Sequence, residues 1–242
     1  MSAAPPLDVD WLSGWIEPRH LSSASIEEHR RAFERNPAAV VVIPSFLRPA
    51  RADALSTFLE QEATFEREYG LHSKRHPVPY EEWIAAGESE RFYQMGVLSG
   101  VRPGFSVSPN LLTHLKFERV IRDERFLTLL ELMTGFELAR PRVTVHGMTT
   151  GDYLLSHTDE IDDRKLGFVF YLSRDWRESY GGVLKLYAKD GCCDFVPAFN
   201  SLALFDVTRQ VEHEVTAISS DSGSAARLTI SGWIGDRAAV VP

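Results

Sequence analysis

The sequence has 242 residues, of which 44% are hydrophobic and 25% are charged, and it carries a formal net charge of −8. This composition supports one large folded core and excludes wholesale disorder. The acidic balance argues against direct binding of nucleic acid, because nucleic-acid-binding proteins usually carry an excess of basic residues. The two cysteines, Cys192 and Cys193, are adjacent and provide neither a disulfide framework nor a zinc finger.

The N-terminus lacks a basic segment followed by an apolar core, which is the pattern of a signal peptide. The longest apolar runs, such as residues 38–44, are far too short to span a bilayer. We therefore expect a cytoplasmic protein without a membrane partner. The sequence does not indicate its oligomeric state.

Helices are predicted mainly in the first half of the chain. A candidate N-cap at Ser25, with Glu27 and Glu28 in the first turn, predicts a helix over residues 25–34. Apolar residues predict further helices over 51–65 and 124–133. The β-branched run at 40–43 is closed by Pro44 and predicts a short buried strand.

Residues 70–110 follow no clear period. This segment is rich in Gly, Pro and Ser, with an amphipathic fragment near 80–86. A long irregular segment inside a compact domain is usually functional or mobile, so we expect it to serve a site.

After Arg140 the sequence changes to short β-type segments separated by turns. Eight such segments occur: RPRVTVHGM, DYLLSH, LGFVFYLS, GVLKLY, CDFVPA, SLALFDV, VEHEVTAI and ARLTISGWI. This rhythm is typical of a β-sandwich or barrel, and helices followed by strands predict an α+β fold. We expect a single domain over 1–242, with a helical support at 1–139 and a β-core at 140–236.

A candidate metal site begins in the stretch LLSHTDEIDD, at residues 154–163. His157 and Asp159 are two residues apart and point to the same side if the strand continues through them. His213, in VEHEV on a late strand, is a candidate third ligand. Two histidines and one carboxylate leave open positions on an ion, which suits non-haem Fe(II) better than a closed structural zinc site. The H-x-D pattern alone is weak, so a polar strand end beside an unrelated core histidine stays open.

Arg227 opens the apolar strand RLTISGW and has two interpretations. It either lies at the rim and reaches water, or it forms a bidentate, charge-assisted pair with a buried carboxylate. In the second case the carboxylate belongs to an organic acid beside the metal, and Tyr171 is a candidate hydroxyl donor from a neighbouring strand. His146 has no carboxylate nearby in sequence, and we interpret it as a structural histidine.

Six motifs, HTD, FYLSRDW, GGVLKLY, SLALFDV, VEHEV and RLTISGW, occur in an order that resembles the 2-oxoglutarate- and Fe(II)-dependent oxygenases. Within that family the chain is similar to the prolyl 4-hydroxylases, and above all to the catalytic domain of the eukaryotic ribosomal-protein prolyl hydroxylases. The run HTDEIDDRKLGFVFYL carries much of this second likeness, and VVVIPSFL resembles their opening strand. The likeness is dense from 140 to 236 and sparse before that.

The resemblance implies a double-stranded β-helix core, which is a jelly-roll or cupin-like arrangement. It places iron on His157, Asp159 and His213, and the distal carboxylate of 2-oxoglutarate on Arg227 with Tyr171. Further positions that it points to are Leu184 and Val215 in the co-substrate pocket, and Trp233 and Tyr153 near the substrate.

Parts of the implied site stay open. Leu184 and Val215 are equally good core residues. Relatives often carry a tyrosine where this chain has Met148, and Tyr153 is offset from that position. Glu160 is a candidate substrate contact, although a solvated turn is the simpler interpretation of the acidic run that it begins.

The activity that the resemblance implies is hydroxylation of a C–H bond, above all in a prolyl residue of a protein or peptide. Fe(II), 2-oxoglutarate and O2 would be required, with ascorbate as a candidate reductant, and succinate and CO2 would be released. Residues 70–110 lie where relatives place a substrate-covering loop. The alternatives are a hydroxylase of a free amino acid or peptide natural product, a non-catalytic β-helix module that senses metal or 2-oxoglutarate, and a zinc hydrolase.

Overall fold

In the computed structural model, which describes residues 7–159, 163–189 and 191–237, the α-helices lie in the first part of the chain. The helices of these ranges are α1 (Val9–Leu12), α2 (Ser23–Arg35), α3 (Pro49–Thr57), α4 (Tyr80–Ala85), α5 (Pro109–Ile121) and α6 (Glu124–Thr134). Within the same ranges, every helix is too short or too polar to cross a membrane.

Antiparallel strands build one curled sheet. The strands are β1 (Val40–Ile43), β2 (Ala63–Leu71), β3 (Arg91–Val101), β4 (Leu138–Met148), β5 (Tyr153–His157), β6 (Arg164–Tyr171), β7 (Leu184–Ala188), β8 (Gly191–Phe195), β9 (Ser201–Asp206), β10 (Glu212–Val215) and β11 (Arg227–Asp236). They pair in the order β1-β9-β6-β11-β4-β3-β5-β10-β7-β8, and β2 adds to β3. Because β3 pairs with both β4 and β5, it links the two halves of this order.

One core lies between the helices and the outer face of the sheet. Leu228 and Ile230 of β11 point into it. Phe170 of β6 packs there against Phe46 and Phe117, with ring centroids 6.1 and 5.0 Å away. Since side chains alternate along a strand, the residues between these face the inside of the curl.

A second core fills the inside of the curl. Met148 on β4, Leu184 on β7, Phe205 on β9 and Val215 on β10 meet there, so both halves of the sheet contribute. The same four side chains line a cavity, and the polar residues described below share its walls. The inner core therefore forms one side of the candidate site.

Most elements expected from the sequence are confirmed. The helices predicted at 25–34 and 124–133 are α2 and α6, and the strand predicted at 40–43 is β1. The eight strands predicted after the N-terminal helices are β4 to β11. The α+β class is therefore confirmed.

The middle of the first half departs from the prediction. The helix predicted over 51–65 ends at Thr57, a π-helical turn follows, and β2 begins at Ala63. The segment predicted as irregular, 70–110, contains the regular strand β3, which pairs along its length with β2. Helix α5 has no counterpart in the prediction. Pairing between distant strands decides this region, and local sequence preference does not reveal such pairing.

Candidate active site

Three candidate metal ligands converge inside the curl. His157 ends β5, Asp159 follows two residues later, and His213 lies on the neighbouring strand β10 as the register partner of His157. The ligating atoms of the three residues lie within 4.8 Å of one another. The structure thus brings together the three residues that the sequence singled out for a metal.

Both histidines are oriented by their own strands. His157 Nδ1 lies 2.9 Å from the carbonyl oxygen of Leu155, and His213 Nδ1 lies 3.0 Å from that of Val211. Because a carbonyl oxygen only accepts, Nδ1 carries the proton and donates in each ring. Nε2 is left to face Asp159, at 3.7 Å in His157 and 3.4 Å in His213. This orientation fits metal ligation through Nε2.

Two donors hold Asp159 from the other side. The indole Nε1 of Trp233 donates to Oδ2 at 2.6 Å, and the guanidinium of Arg164 donates to Oδ1 at 3.1 Å. The Arg164 guanidinium also lies over the Trp233 ring, 3.7 Å from its centroid. Asp159 is buried, so these bonds form away from bulk water, where they are stronger.

Burial and mutual contact shift the pKa of all three candidate ligands. Burial would raise the pKa of Asp159, but hydrogen bonds with His213 and Trp233 bring it below its usual value. Burial, followed by the charge of His213, lowers the pKa of His157. Burial would lower the pKa of His213 as well, but Asp159 outweighs burial and raises it. The ionised carboxylate and neutral His157 are the forms that bind metals.

Arg227 and Tyr171 form a buried polar pair in the same region. The Nε of Arg227 donates to the carbonyl oxygen of Gly182 at 2.8 Å, and a terminal nitrogen contacts the sulfur of Met148 at 3.8 Å. Within the described residues, no carboxylate pairs with Arg227, and the polar group that faces its guanidinium is the buried hydroxyl of Tyr171. Burial lowers the pKa of Arg227 and raises that of Tyr171.

This pair fits the far carboxylate of 2-oxoglutarate. A buried guanidinium without an anion is unfavourable, and a planar carboxylate can pair with it and accept from Tyr171. Arg227, Leu184 and Val215 line a cavity of about 630 Å³ that the three candidate metal ligands also line. Three of the predicted co-substrate residues therefore share one compartment with the candidate metal ligands, whereas Tyr171 is not among the described residues that line it.

The predicted substrate contacts have different placements. Trp233 lines the cavity, as does Leu154 of β5. Tyr153 packs instead in the small apolar cluster around Trp83, and it is not among the described residues that line the cavity. Glu160 lies outside the described residues.

His146 has a different environment from the one expected of a structural histidine. It lines the cavity, and its Nδ1 lies 3.3 Å from the hydroxyl oxygen of Ser231. Burial, together with the positive charge of Arg227, lowers the pKa of His146 to about 4. Strand alternation identifies it in retrospect, because it lies two residues before Met148 on β4.

Other cavity residues had no clear signal in the sequence. The ring of Phe92 on β3 lies 5.3 Å from that of His157, and Arg164 opens β6 beside Asp159. Residues 74–76, between β2 and α4, also line the cavity. The predicted covering segment is irregular mainly at 72–79 and 102–108, and its role as a cover stays a prediction.

A family model for the 2OG-Fe(II) oxygenase superfamily matches residues 143–235. The matched residues run from within β4 to the end of β11 and include the three candidate metal ligands and Arg227. The sequence of this part of the chain is thus similar to the 2OG-Fe(II) oxygenase superfamily, in agreement with the resemblance.

Similar curated proteins are named prolyl 3-hydroxylases. The chain is 34% identical over 131 residues to prolyl 3-hydroxylase OGFOD1 of Xenopus laevis, a match that covers 50% of this chain and 25% of the relative. It is 26% identical over 237 residues to prolyl 3-hydroxylase sudestada1 of Drosophila melanogaster, covering 92% of this chain and 39% of the relative. The chain thus spans less than half the length of these relatives.

Solved structures share the fold at low sequence identity. A prolyl-4-hydroxylase of Pseudomonas putida aligns with a TM-score of 0.56 and 18% identity, over 88% of this chain and 99% of that chain. A prolyl hydroxylase of Trichoplax adhaerens, in complex with a hypoxia inducible factor peptide fragment, aligns with a TM-score of 0.59 and 15% identity, over 91% and 98%. The predicted double-stranded β-helix is therefore confirmed as the fold.

Proposed function

We propose that this chain is an Fe(II)- and 2-oxoglutarate-dependent dioxygenase that hydroxylates a C–H bond of a prolyl residue in a protein or peptide. The shared cavity carries the proposal. His157, Asp159 and His213 converge in it, and the buried Arg227 that lines it pairs with no carboxylate of the described residues. A zinc hydrolase could use the same three ligands, but it would give Arg227 no role.

The metal residues act by presenting a fixed set of donor atoms. His157 and His213 offer Nε2 and Asp159 offers its carboxylate to iron, which activates O2 when it is bound. The backbone carbonyls that accept from each Nδ1 keep both rings in the required orientation. Three protein ligands leave the remaining positions for co-substrate and O2.

The co-substrate residues act by charge and exclusion of water. Arg227 neutralises the far carboxylate of 2-oxoglutarate, and Tyr171 donates to it from β6. Leu184 and Val215 cover the apolar part of the same molecule and keep water away from it. Because Arg227 is fixed by Gly182, it sets how far into the cavity the co-substrate extends.

A prolyl substrate, release of succinate and CO2, and use of ascorbate as reductant are parts of this proposal. The names of the curated relatives support a prolyl residue as the substrate. The prolyl hydroxylase structures, with TM-scores of 0.56 and 0.59, support the fold alone. Relatives named 3-hydroxylases and 4-hydroxylases both occur, so the hydroxylated carbon is left to experiment. The free thiols Cys192 and Cys193 fit the cytoplasmic location that we propose.

Replacing the carboxylate ligand tests the metal site directly. Asp159→Ala should lower succinate formation from 2-oxoglutarate by at least about 100-fold, since even the loss of an outer hydrogen-bond partner of a metal ligand costs about 10- to 100-fold. Asp221→Ala, which removes an exposed carboxylate of the described chain, should leave it unchanged. Full succinate formation by Asp159→Ala would refute the assignment. Metal and 2-oxoglutarate binding without any succinate from the unaltered chain would indicate a non-catalytic module.

A further inference from the structure

Asp159 accepts hydrogen bonds from two stacked side chains, Trp233 and Arg164, which lie on adjacent strands. Trp233 lies on β11 and Arg164 at the start of β6, and these strands pair along this stretch. The guanidinium lies 3.7 Å from the centroid of the indole ring, so the two side chains are in direct contact. Both also line the cavity.

The two members of the pair bind different oxygens of the same carboxylate. Trp233 Nε1 donates to Oδ2 at 2.6 Å, and Arg164 donates to Oδ1 at 3.1 Å. The two oxygens in turn face different histidines, with Oδ1 toward His157 and Oδ2 toward His213. A carboxylate with a fixed donor on each oxygen cannot rotate about its Cβ–Cγ bond without breaking a charge-assisted or a short hydrogen bond.

We infer that Arg164 and Trp233 are positioning residues that set the orientation of Asp159 toward His157 and His213. Their role rests on the proposed function, because it concerns how this chain holds a metal ion. The stack fixes the guanidinium, the guanidinium and indole fix the carboxylate, and the carboxylate then needs little reordering when a metal binds. Trp233 acts here through Asp159, in addition to any contact with substrate.

Cobalt(II) binding tests this role without turnover, because its visible absorption reports both affinity and ligand geometry. Trp233→Phe keeps an aromatic ring for Arg164 but removes the N–H donor. Arg164→Lys keeps the charge but loses the planar group that stacks. The chain offers a matched control pair outside the cavity, since the Arg91 guanidinium stacks on Trp83 with 4.6 Å to the ring centroid. Trp83→Phe and Arg91→Lys therefore repeat both changes outside the cavity.

Trp233→Phe and Arg164→Lys should each weaken cobalt(II) binding about 10- to 100-fold and shift the cobalt absorption bands. Trp83→Phe and Arg91→Lys should do neither. Unchanged affinity and spectrum in both cavity variants, with the unaltered chain binding cobalt(II), would overturn the positioning role and leave the proposed function intact. Failure of the unaltered chain to bind cobalt(II) would instead overturn the metal site. If one cavity variant does not fold, as judged by circular dichroism, the other decides.

Discussion

Arg227 shows how much of the proposed chemistry rests on a single side chain. It is 4% exposed, and its polar contacts are the backbone carbonyl of Gly182, the sulfur of Met148 and the side chain of Tyr171, so its charge is largely desolvated. Lysine would be a poor substitute, because its point charge cannot form two parallel hydrogen bonds to a carboxylate. An anionic ligand would therefore compensate the buried positive charge of Arg227.

Arg227→Met should raise the 2-oxoglutarate concentration needed for half-maximal succinate formation by at least about 30-fold. Removing one partner of a desolvated charge pair costs about 2 to 5 kcal/mol, and 2 kcal/mol corresponds to that factor. The 2-oxoglutarate concentration that Arg227→Lys needs should lie between those of the unaltered chain and Arg227→Met. Arg174→Lys, at a more exposed arginine that pairs with Asp53, is the control and should change nothing. An unaltered 2-oxoglutarate dependence in Arg227→Met would place the co-substrate elsewhere.

His146 should make the stability of the fold dependent on pH. Its pKa is about 4 in the folded chain and 6.5 in the unfolded chain, so the unfolded state binds more protons between these values. The free energy of unfolding is therefore unaffected by protonation of His146 above pH 6.5, and it decreases as the pH falls toward 4. We expect the unfolding free energy of the unaltered chain to fall between pH 7 and pH 5 by about 2 kcal/mol more than that of His146→Asn, as measured by urea denaturation. Equal pH dependence in both proteins would show that His146 does not contribute.

At the scale of elements, the regular alternation of β11 agrees with the predicted positions of Arg227 and Trp233. Arg227, Thr229, Ser231 and Trp233 occupy alternate positions and all line the cavity. Strand periodicity from Arg227 agrees with the inward position that the family resemblance gives to Trp233. The same rule, applied to β4 from Met148, reaches His146.

Tyr153 was not predictable in the same way, because β5 is irregular. The register between β10 and β5 shifts between the pairs His213–His157 and Val215–Leu154. A bulge of this kind changes which residues face inward, so Leu154 and His157 both line the cavity although an odd number of positions separates them. The resemblance points to Tyr153 as a residue offset from the position of the family tyrosine, and the structure leaves it outside the described cavity lining.

Strands β2 and β3 could not be predicted from local sequence patterns. Their residues pair with each other across the loop and helix α4, and β3 then joins β4 and β5. This partnership depends on contacts between residues far apart in the sequence, whereas Gly, Pro and Ser content reflects only local preference. The strands after residue 140 were easier because turns separate them at regular intervals.

The turn before β7 should control the position of Arg227. Gly182 has a φ of +63°, and a Cβ there would lie 2.7 Å from Cδ of Arg227. Gly223 has a φ of +58° with open space around it, so it is a matched control for backbone strain alone. Both Gly→Ala variants should lose about 1 kcal/mol or more of unfolding free energy. Only Gly182→Ala should also raise the 2-oxoglutarate requirement; an equal requirement in both variants would show that the turn does not position Arg227.

At the scale of the whole molecule, two cores divide the work of stability and function. Helices cover the outer face of the sheet, where Phe170 and its aromatic neighbours are fully buried. The inner face is thereby free to carry polar groups such as Asp159, His213 and Arg227 inside a cavity. Although the whole chain carries a net charge of −8, this cavity contains a buried arginine that suits an anionic co-substrate.

The most direct test of the account is oxygen transfer to a prolyl substrate. The full chain would be loaded with Fe(II) and 2-oxoglutarate without O2, then exposed to O2 with a panel of prolyl peptides and free amino acids. We expect mass spectrometry to show the gain of one oxygen in a prolyl peptide, matched by succinate, and the loss of both in Asp159→Ala. Gain of oxygen by free amino acids alone would contradict the prolyl peptide substrate. Absence of both oxygen gain and succinate with every substrate would contradict the proposed activity.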